Sequence, residues 1–344
     1  MWPDINRIFS RKGSSPLVYL GVGIFPEGIS VAVIDREAGG QPAVKTSAFF
    51  ACVQSEWVSV LESFCRQHGV KGAKTYVAFH PDYYELMLID APEVPDEELA
   101  EAVKWRVKDF INGDIESYVV DAFRLPQDAY RGRMNMIYAA YMKKEVVVAV
   151  VELCGDCGLE LVSIGISELA RVNLIQGRKE YADLGVAFLH LGEQKGQIDL
   201  IENGYLYLSR GIDSGYAMLK QASAAVDSGA TGRPSGLADG GLNLVDHDQG
   251  ASNSNLLDGL VLDVQRSLDY YESQLGKSGI SKLLLLTPAP LSAEVYKNLS
   301  ANLPVKVEAL HISDLLDCEQ DCSGFMDSCS VAVGAALGGI HAAA

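Results

Sequence analysis

The sequence predicts a duplicated two-domain α/β fold with an α+β insert in its first half. Three observations carry this. Two hairpin patterns, each an apolar strand, a glycine-containing turn and an alternating strand, occupy Tyr19–Val33 and Val186–Ile201, nearly half of the 344-residue chain apart. Strand-like and helix-like periodicities alternate through both halves, βββαβ in the first and βββ…αβαβα in the second. Between them, Ala91-Pro92-Glu93-Val94-Pro95 breaks the pattern and introduces an additional helix and strands. The chain is too long for one ordinary core and fits two domains. The boundaries expected are a tail over 1–15, a first domain over 16–180 with its insert at about 74–165, a second domain over 181–325, and a helix over 326–344 that completes the first.

Residues 17–24, 29–35 and 43–53 read as three strands. Ser55 reads as the N-cap of a helix to His68, with Trp57, Val60, Leu61 and Phe64 on one face and Gly69 ending it. Strands follow at 74–80 and 84–90. The insert helix is expected over Asp96–Asn112. It carries Asp96, Glu97 and Glu98 in its first turn and Lys104, Arg106 and Lys108 later, both suited to the helix dipole. Its buried stripe reads Leu99, Val103, Val107 and Phe110. Strands at 117–125 and 134–142, a helix over Val146–Leu153, a strand at 159–165 and a helix at 167–177 complete the first half.

The second half opens with strands at 185–191, 197–202 and 204–210. Residues 221–255 turn to Ser, Gly, Ala and Asp, too little apolar surface to order themselves, and predict a long loop. Asp258–Leu275 is a strongly periodic helix, with Leu260, Val261, Val264, Leu268 and Tyr271 at helical spacing. Lys282–Leu286 reads as a buried central strand, followed by a helix at 291–301, a strand at 304–309 and a small-residue helix from Met326.

Composition excludes several functions. Net charge is −17, from 28 basic and 45 acidic residues, against nucleic-acid binding. No apolar run reaches the roughly 18 residues of a bilayer span, and the N-terminus lacks a signal-peptide core, so a cytoplasmic location is expected. The short basic segment Arg7-Ile8-Phe9-Ser10-Arg11-Lys12 reads as a solvated terminus, with weak contact to a membrane surface as the alternative. Seven cysteines without a secretion signal imply a reduced state.

Three segments resemble a known family. Leu99-Ala100-Glu101-Ala102-Val103-Lys104-Trp105-Arg106-Val107-Lys108-Asp109, Val264-Gln265-Arg266-Ser267-Leu268-Asp269-Tyr270-Tyr271-Glu272 and Val331-Ala332-Val333-Gly334-Ala335-Ala336-Leu337 are similar to signature helices of the PilM-type pilus assembly proteins. The MshI branch, which serves the mannose-sensitive haemagglutinin (MSHA) pilus, is the nearest, and the resemblance runs from about residue 16 onward. It implies an actin-like (ribonuclease H-like) fold shared with FtsA. It also implies a place on the cytoplasmic face of the inner membrane, in a type IV pilus machine. The implied partner is the N-terminal tail of a PilN-like bitopic inner-membrane protein. An assembly ATPase and further copies of the chain are secondary partners, and the family commonly binds ATP.

At the nucleotide loops the chain departs from that pattern. An actin-type first loop uses Asp-x-Gly ahead of small residues, so that backbone N–H groups cradle phosphate and the acid organises Mg²⁺. Here Gly21 is kept, Gly23 stands where the Asp is expected, and Phe25 and Pro26 follow. In the second loop His190 replaces the acid, Gly192 is kept, Glu193 follows, and Gly196 takes the threonine place. The adenosine loop expects two glycines, but Thr287-Pro288-Ala289-Pro290 follows the strand. These residues read as vestiges of a nucleotide site, so no cofactor is expected and ATP with Mg²⁺ is the alternative.

Other chemistry is less well supported. Cys154-Gly155-Asp156-Cys157 follows a predicted helix, whereas a redox pair would open one, so one buried and one turn cysteine are expected. Cys318, Cys322 and Cys329 lack matching histidines for zinc. Glu193 and Asp199 are expected to be solvated. Trp105 and Arg106 on the insert helix are candidate partner contacts, packing of Trp105 on its own subdomain being the alternative. The expected function is an actin-like pilus-assembly scaffold, not an enzyme, that holds a partner tail between the first domain and the insert. An ATP-binding, weakly hydrolysing assembly factor is the alternative, and a sugar-kinase relative is a third reading.

Overall fold

The computed structural model describes residues 17–36, 40–111, 113–220, 248–287, 291, 293–318 and 326–342. The first strands are β1 (Leu17–Phe25), β2 (Gly28–Arg36) and β3 (Pro42–Ala51). Helix α1 (Trp57–His68) and β4 (Lys74–Phe79) follow. The insert comprises β5 (Tyr84–Asp90), α2 (Asp96–Val107), β6 (Tyr118–Arg124) and β7 (Met136–Lys143). Helix α3 (Lys144–Asp156), β8 (Glu160–Ile166) and α4 (Ser167–Ile175) lead to the second half. There, β9 (Gly185–Leu191), β10 (Gly196–Glu202) and β11 (Tyr205–Ile212) precede α5 (Asp248–Ser273) and β12 (Ile280–Leu286). Helix α6 (Ala293–Asn302), β13 (Lys306–Ala309), α7 (Ile312–Leu315), β14 (Asp317–Cys318) and α8 (Met326–Ala342) close the chain.

The two large sheets repeat one topology. The first has the order β14-β3-β2-β1-β4-β8 and the second β11-β10-β9-β12-β13. In both, the first strand pairs antiparallel with the second and parallel with the fourth, as β1 does with β2 and β4 and β9 does with β10 and β12. Near-continuous burial of β9, β10 and β12 follows from covering both faces of these sheets. The insert forms a separate three-stranded sheet, β5-β7-β6, with α2 packed on it through Leu99, Val103 and Val107, and is shorter than the expected 74–165 because β4 and β8 pair into the first sheet.

Alternation along β1 decides where each core lies. Leu20, Val22 and Ile24 face α1 and α3, whereas Tyr19, Gly21, Gly23 and Phe25 face α8. The small residues of α8 let its backbone approach the sheet closely. A side chain at Gly21 would collide with the Ala332 carbonyl, and one at Gly334 with the Ala170 carbonyl of α4. The last helix therefore packs on the first sheet, against β1, β2 and β4.

Several expectations are corrected. Helix α1 starts at Trp57 after a short 3₁₀ turn, with Glu56 rather than Ser55 at its N-cap, and the Val53 N–H donates to the Glu56 carboxylate at 3.1 Å. Helix α2 ends at Val107 and passes into a 3₁₀ turn over Lys108–Phe110. The tighter winding takes Phe110 off the buried stripe and leaves it 58% exposed. Helix α5 begins at Asp248, ten residues before its apolar pattern starts, so 248–255 is helical rather than loop. Once the amphipathic part is nucleated by packing, elongation through weak helix formers is inexpensive. The remainder of the expected loop (221–247), the basic N-terminal segment, Pro288, Pro290 and Cys322 lie outside the described residues.

Candidate functional site

The first hairpin is closed by its own strands. Pairing of β1 with β2 runs from Leu17↔Arg36 to Phe25↔Gly28, leaving Pro26-Glu27 as a two-residue turn. Gly21 and Gly23 sit within this ladder and face α8, where a side chain at Gly23 would meet Ser30 Oγ, the Phe25 ring and Val331. Phe25 is buried, edge-on to Phe49 at 5.8 Å and tilted against His80 at 5.5 Å. Aromatic packing thus occupies the hairpin tip.

The second hairpin is longer, with 192–195 joining Leu191↔Gly196. Its carbonyls point at a helix start: Gly192 O accepts from Tyr216 N–H at 2.8 Å, and Glu193 O from Ala217 N–H at 3.0 Å. The first N–H groups of the helical residues 216–220, which would otherwise suit an anion, are taken up by this loop. His190 is buried, Glu193 is exposed and Thr287 is half-buried. Because Leu286 pairs with His190, Thr287, His190, Gly192 and Glu193 all gather at one end of the second sheet.

Sequence reasoning missed a buried polar network where the halves meet. Asp199, expected to be solvated, is fully buried on β10 and accepts from Arg171 Nε of α4 at 2.6 Å. The Arg171 Nη2 donates to Gln197 Oε1 at 2.6 Å, and Gln197 Nε2 donates to Glu168 Oε1 at 2.6 Å and to Ser209 Oγ at 2.8 Å. Glu168 Oε2 accepts from the Tyr84 hydroxyl, which also lies 3.1 Å from Ser167 Oγ. The network continues to Tyr138, whose hydroxyl accepts from Ser209 N–H at 3.0 Å. It therefore joins the insert, the first half and the second sheet: Tyr84 and Tyr138 from the insert, Ser167, Glu168 and Arg171 from α4, and Gln197, Asp199 and Ser209 from the second sheet. Burial pushes the Glu168 carboxyl up despite the opposing pull of Arg171. For Arg171, burial alone would favour the neutral form, but Asp199 and Glu168 more than offset it and hold the guanidinium charged.

A groove of about 250 Å³ lies on the insert, at the turn that joins it to β4. It is lined by Asp82 and Tyr83 of that turn, by the cross-strand pair Glu85 and Tyr141, and by Phe110 and Tyr118. The Tyr118 and Tyr141 rings meet edge-on at 6.1 Å. Burial, then the nearby Glu85 carboxylate, raises the Tyr141 hydroxyl pKa, and burial with Glu27 and Asp82 does the same for Tyr83. The Tyr83 hydroxyl donates to Phe25 O at 3.2 Å, so the turn end of the groove is tied to the first hairpin, while its neighbour Tyr84 is tied to the buried network. Trp105 and Arg106 lie outside the groove. Trp105 is 60% exposed beneath the Lys108 ammonium at 5.4 Å, and Arg106 donates to Asp90 O at 2.8 Å. The legible signal for the groove was aromatic density at the junctions with the insert, Tyr83-Tyr84 and Tyr141, rather than the helix-borne tryptophan.

The cysteine pair sits at the C-terminal end of α3, where the helix dipole disfavours a thiolate. Cys154 and Cys157 are both buried, which places the expected turn cysteine inside as well, and burial pushes both thiols up to about 11. Among the described residues, no group of three or more His, Cys, Asp or Glu is placed to hold a metal ion, and no helix is long and apolar enough to cross a membrane.

No protein-family model and no curated protein matches the chain. Among solved structures, it is similar to one described as the PilM-PilN type IV pilus biogenesis complex, with a TM-score of 0.66 and 18% identity over 94% of this chain and 98% of that one. The fold is actin-like. The sheet order repeated in both halves and this likeness decide it together. At that identity the likeness carries the fold alone. Lower similarity extends to the cytoplasmic domain of EpsL, an inner membrane component of the type II secretion system of Vibrio cholerae, with 15% identity and a TM-score of 0.44 over 83% of this chain and 94% of that one. It also extends to a Bacteroides thetaiotaomicron protein with an actin-like ATPase fold, with 9% identity and a TM-score of 0.48 over 88% and 93%.

Proposed function

We propose that the protein is a nucleotide-independent, actin-like scaffold of a type IV pilus assembly platform, at the cytoplasmic face of the inner membrane. The groove on its insert, at the junction with the first domain, takes the N-terminal tail of a PilN-like partner. The observation that carries this reading is the groove itself. Exposed Phe110 and the Tyr118–Tyr141 pair offer aromatic anchors, and Asp82 and Glu85 offer a polar rim, the division of labour of a peptide-binding surface. The structural similarity to a protein solved in complex with PilN supports it. Resemblance of the α2, α5 and α8 segments to the MshI branch makes an MSHA-type pilus the specific assignment.

The nucleotide-independent half rests on the hairpins. A Mg·ATP cradle needs free backbone N–H groups and a carboxylate beside them. Position 23 is glycine and backs onto α8, Phe25 fills the first tip, and the 192–193 carbonyls face helix N–H groups. The residues at these loops do not fit that cofactor.

The test is a titration of the full chain with a synthetic peptide of a PilN-like cytoplasmic tail. Saturable binding weakened about tenfold or more by Phe110→Asp is expected. Binding unchanged by that substitution would overturn the groove assignment. A parallel calorimetric titration with ATP·Mg²⁺ is expected to give no saturable heat. A micromolar dissociation constant there, with steady phosphate release, would favour the assembly-ATPase reading instead.

A further inference from the structure

The connection between β6 and β7 reaches out of the insert and grips the second half of the molecule. Asp128 Oδ2 lies 2.5 Å from Lys277 Nζ, and Asp128 Oδ1 accepts from the Tyr207 hydroxyl at 3.0 Å. Lys277 is also 3.2 Å from the Glu202 carboxylate, and its ammonium sits 4.6 Å over the Tyr207 ring. The Tyr130 and Tyr270 hydroxyls are 2.8 Å apart, and the Arg131 side chain occupies the space where a β-carbon of Gly276 would be. Five residues of the second half, from β10, β11, α5 and the segment that follows it, thus gather at three residues of one loop.

That loop is strained. Tyr130, Arg131 and Gly132 adopt φ of 54°, 57° and 67° in succession, so two side-chain-bearing residues stand side by side in the left-handed region. Such a conformation persists only where its surroundings over-determine it. Here the surroundings are the second half of the molecule. Strand β7 starts four residues beyond Gly132 and runs as one rigid element to Tyr141, Met142 and Lys143 on the groove, about 23 Å away at strand rise.

We propose that the loop over 126–132 is a sprung clasp that couples the groove at one end of β7 to the second half at the other. Closed, as seen here, it holds the insert against both halves. Released, Tyr130 and Arg131 relax, and the insert remains attached through the buried network and its own junctions. The insert then transmits what fills the groove to the relation between the halves. The clasp is a property of the chain and does not rest on which partner the groove takes.

Hydrogen exchange on the full chain tests this without a partner. Tyr130→Phe deletes one hydroxyl and keeps the ring, and Lys277→Met removes the ammonium at the centre of the cluster. Each is expected to accelerate exchange about two- to tenfold, the loss expected of one or two hydrogen bonds. The acceleration should appear at 125–135, at 202–209, and also at the groove walls 83–85 and 141–143, while α1 exchanges as in the parent. Acceleration confined to 125–135 would overturn the proposal, because it would make the loop a local packing feature. If Lys277→Met accelerates the whole chain including α1, the milder Tyr130→Phe decides by the same criterion.

Discussion

Two carboxylate–cation pairs bind the insert and the first half to the second, and they have almost the same length. Arg171–Asp199 measures 2.6 Å and Lys277–Asp128 measures 2.5 Å. The side chains of the first pair are 1% and 0% exposed, and those of the second 10% and 60%. What differs is what water can do for each partner once the other is removed. A stranded guanidinium or carboxylate in the interior has no substitute for its lost counter-charge, whereas Asp128 is rehydrated at once. Distance alone therefore says nothing about how much either junction is worth.

The largest effect expected is on the buried side. Asp199→Ala leaves Arg171 charged and enclosed and should lower unfolding free energy by about 3–5 kcal/mol, measured by urea denaturation. The double replacement Arg171→Met with Asp199→Leu should recover most of that loss, since both charges leave together. A double variant as unstable as the single one would show that the pair's hydrogen-bonded neighbours, not the stranded charge, set the cost. For the clasp, Lys277→Met should cost only about 1 kcal/mol. At 1 M salt, where the screening length falls to about 3 Å, that cost should shrink while the cost of Asp199→Ala stays put.

The smallest effect is a pH slope. Burial raises the Glu168 carboxyl above its unfolded value. The folded chain therefore holds this proton more tightly than the unfolded one, and the associated stability is complete below the unfolded carboxylate range and lost as pH rises through the folded value. Glu168→Gln keeps an acceptor for Gln197, turns the Tyr84 contact round so that the amide N–H donates to the hydroxyl, and should flatten that decline above the unfolded carboxylate range, read as the difference in thermal midpoint. A parallel decline in both proteins would place the titration elsewhere.

The architecture was largely legible because periodicity reports burial. The alternation along β1, the continuous apolar run in β12 and the helical spacing in α5 each name one face, and that is what the cores use. The small residues of α8 announced a close approach, found at Gly21 and Gly334. The junctions were not legible. Ser167, Glu168 and Arg171 occupy one stripe of α4, and three polar groups on a helix ordinarily mean a solvated face. Nothing local distinguishes them from a stripe buried against complementary groups some 30 residues later in the chain. The strained loop has one conventional mark, Gly132, while Tyr130 and Arg131 are residue types seldom found with positive φ. Phe110 was misplaced because a helix ended one turn early, and a change from α to 3₁₀ winding leaves no signature in residue spacing.

The helix that covers Gly21 is the last described segment of the chain, Met326–Ala342, and it lies on the first sheet. During synthesis β1 and β2 emerge well ahead of this helix and keep one face bare until it is made. The second sheet needs no such late arrival, since β9–β13 are contiguous in sequence apart from their helices. The first sheet thus waits for a helix that follows the whole second sheet. A nascent chain halted anywhere before residue 326 presents Tyr19, Ala32 and Ile34 uncovered, a surface suited to chaperones.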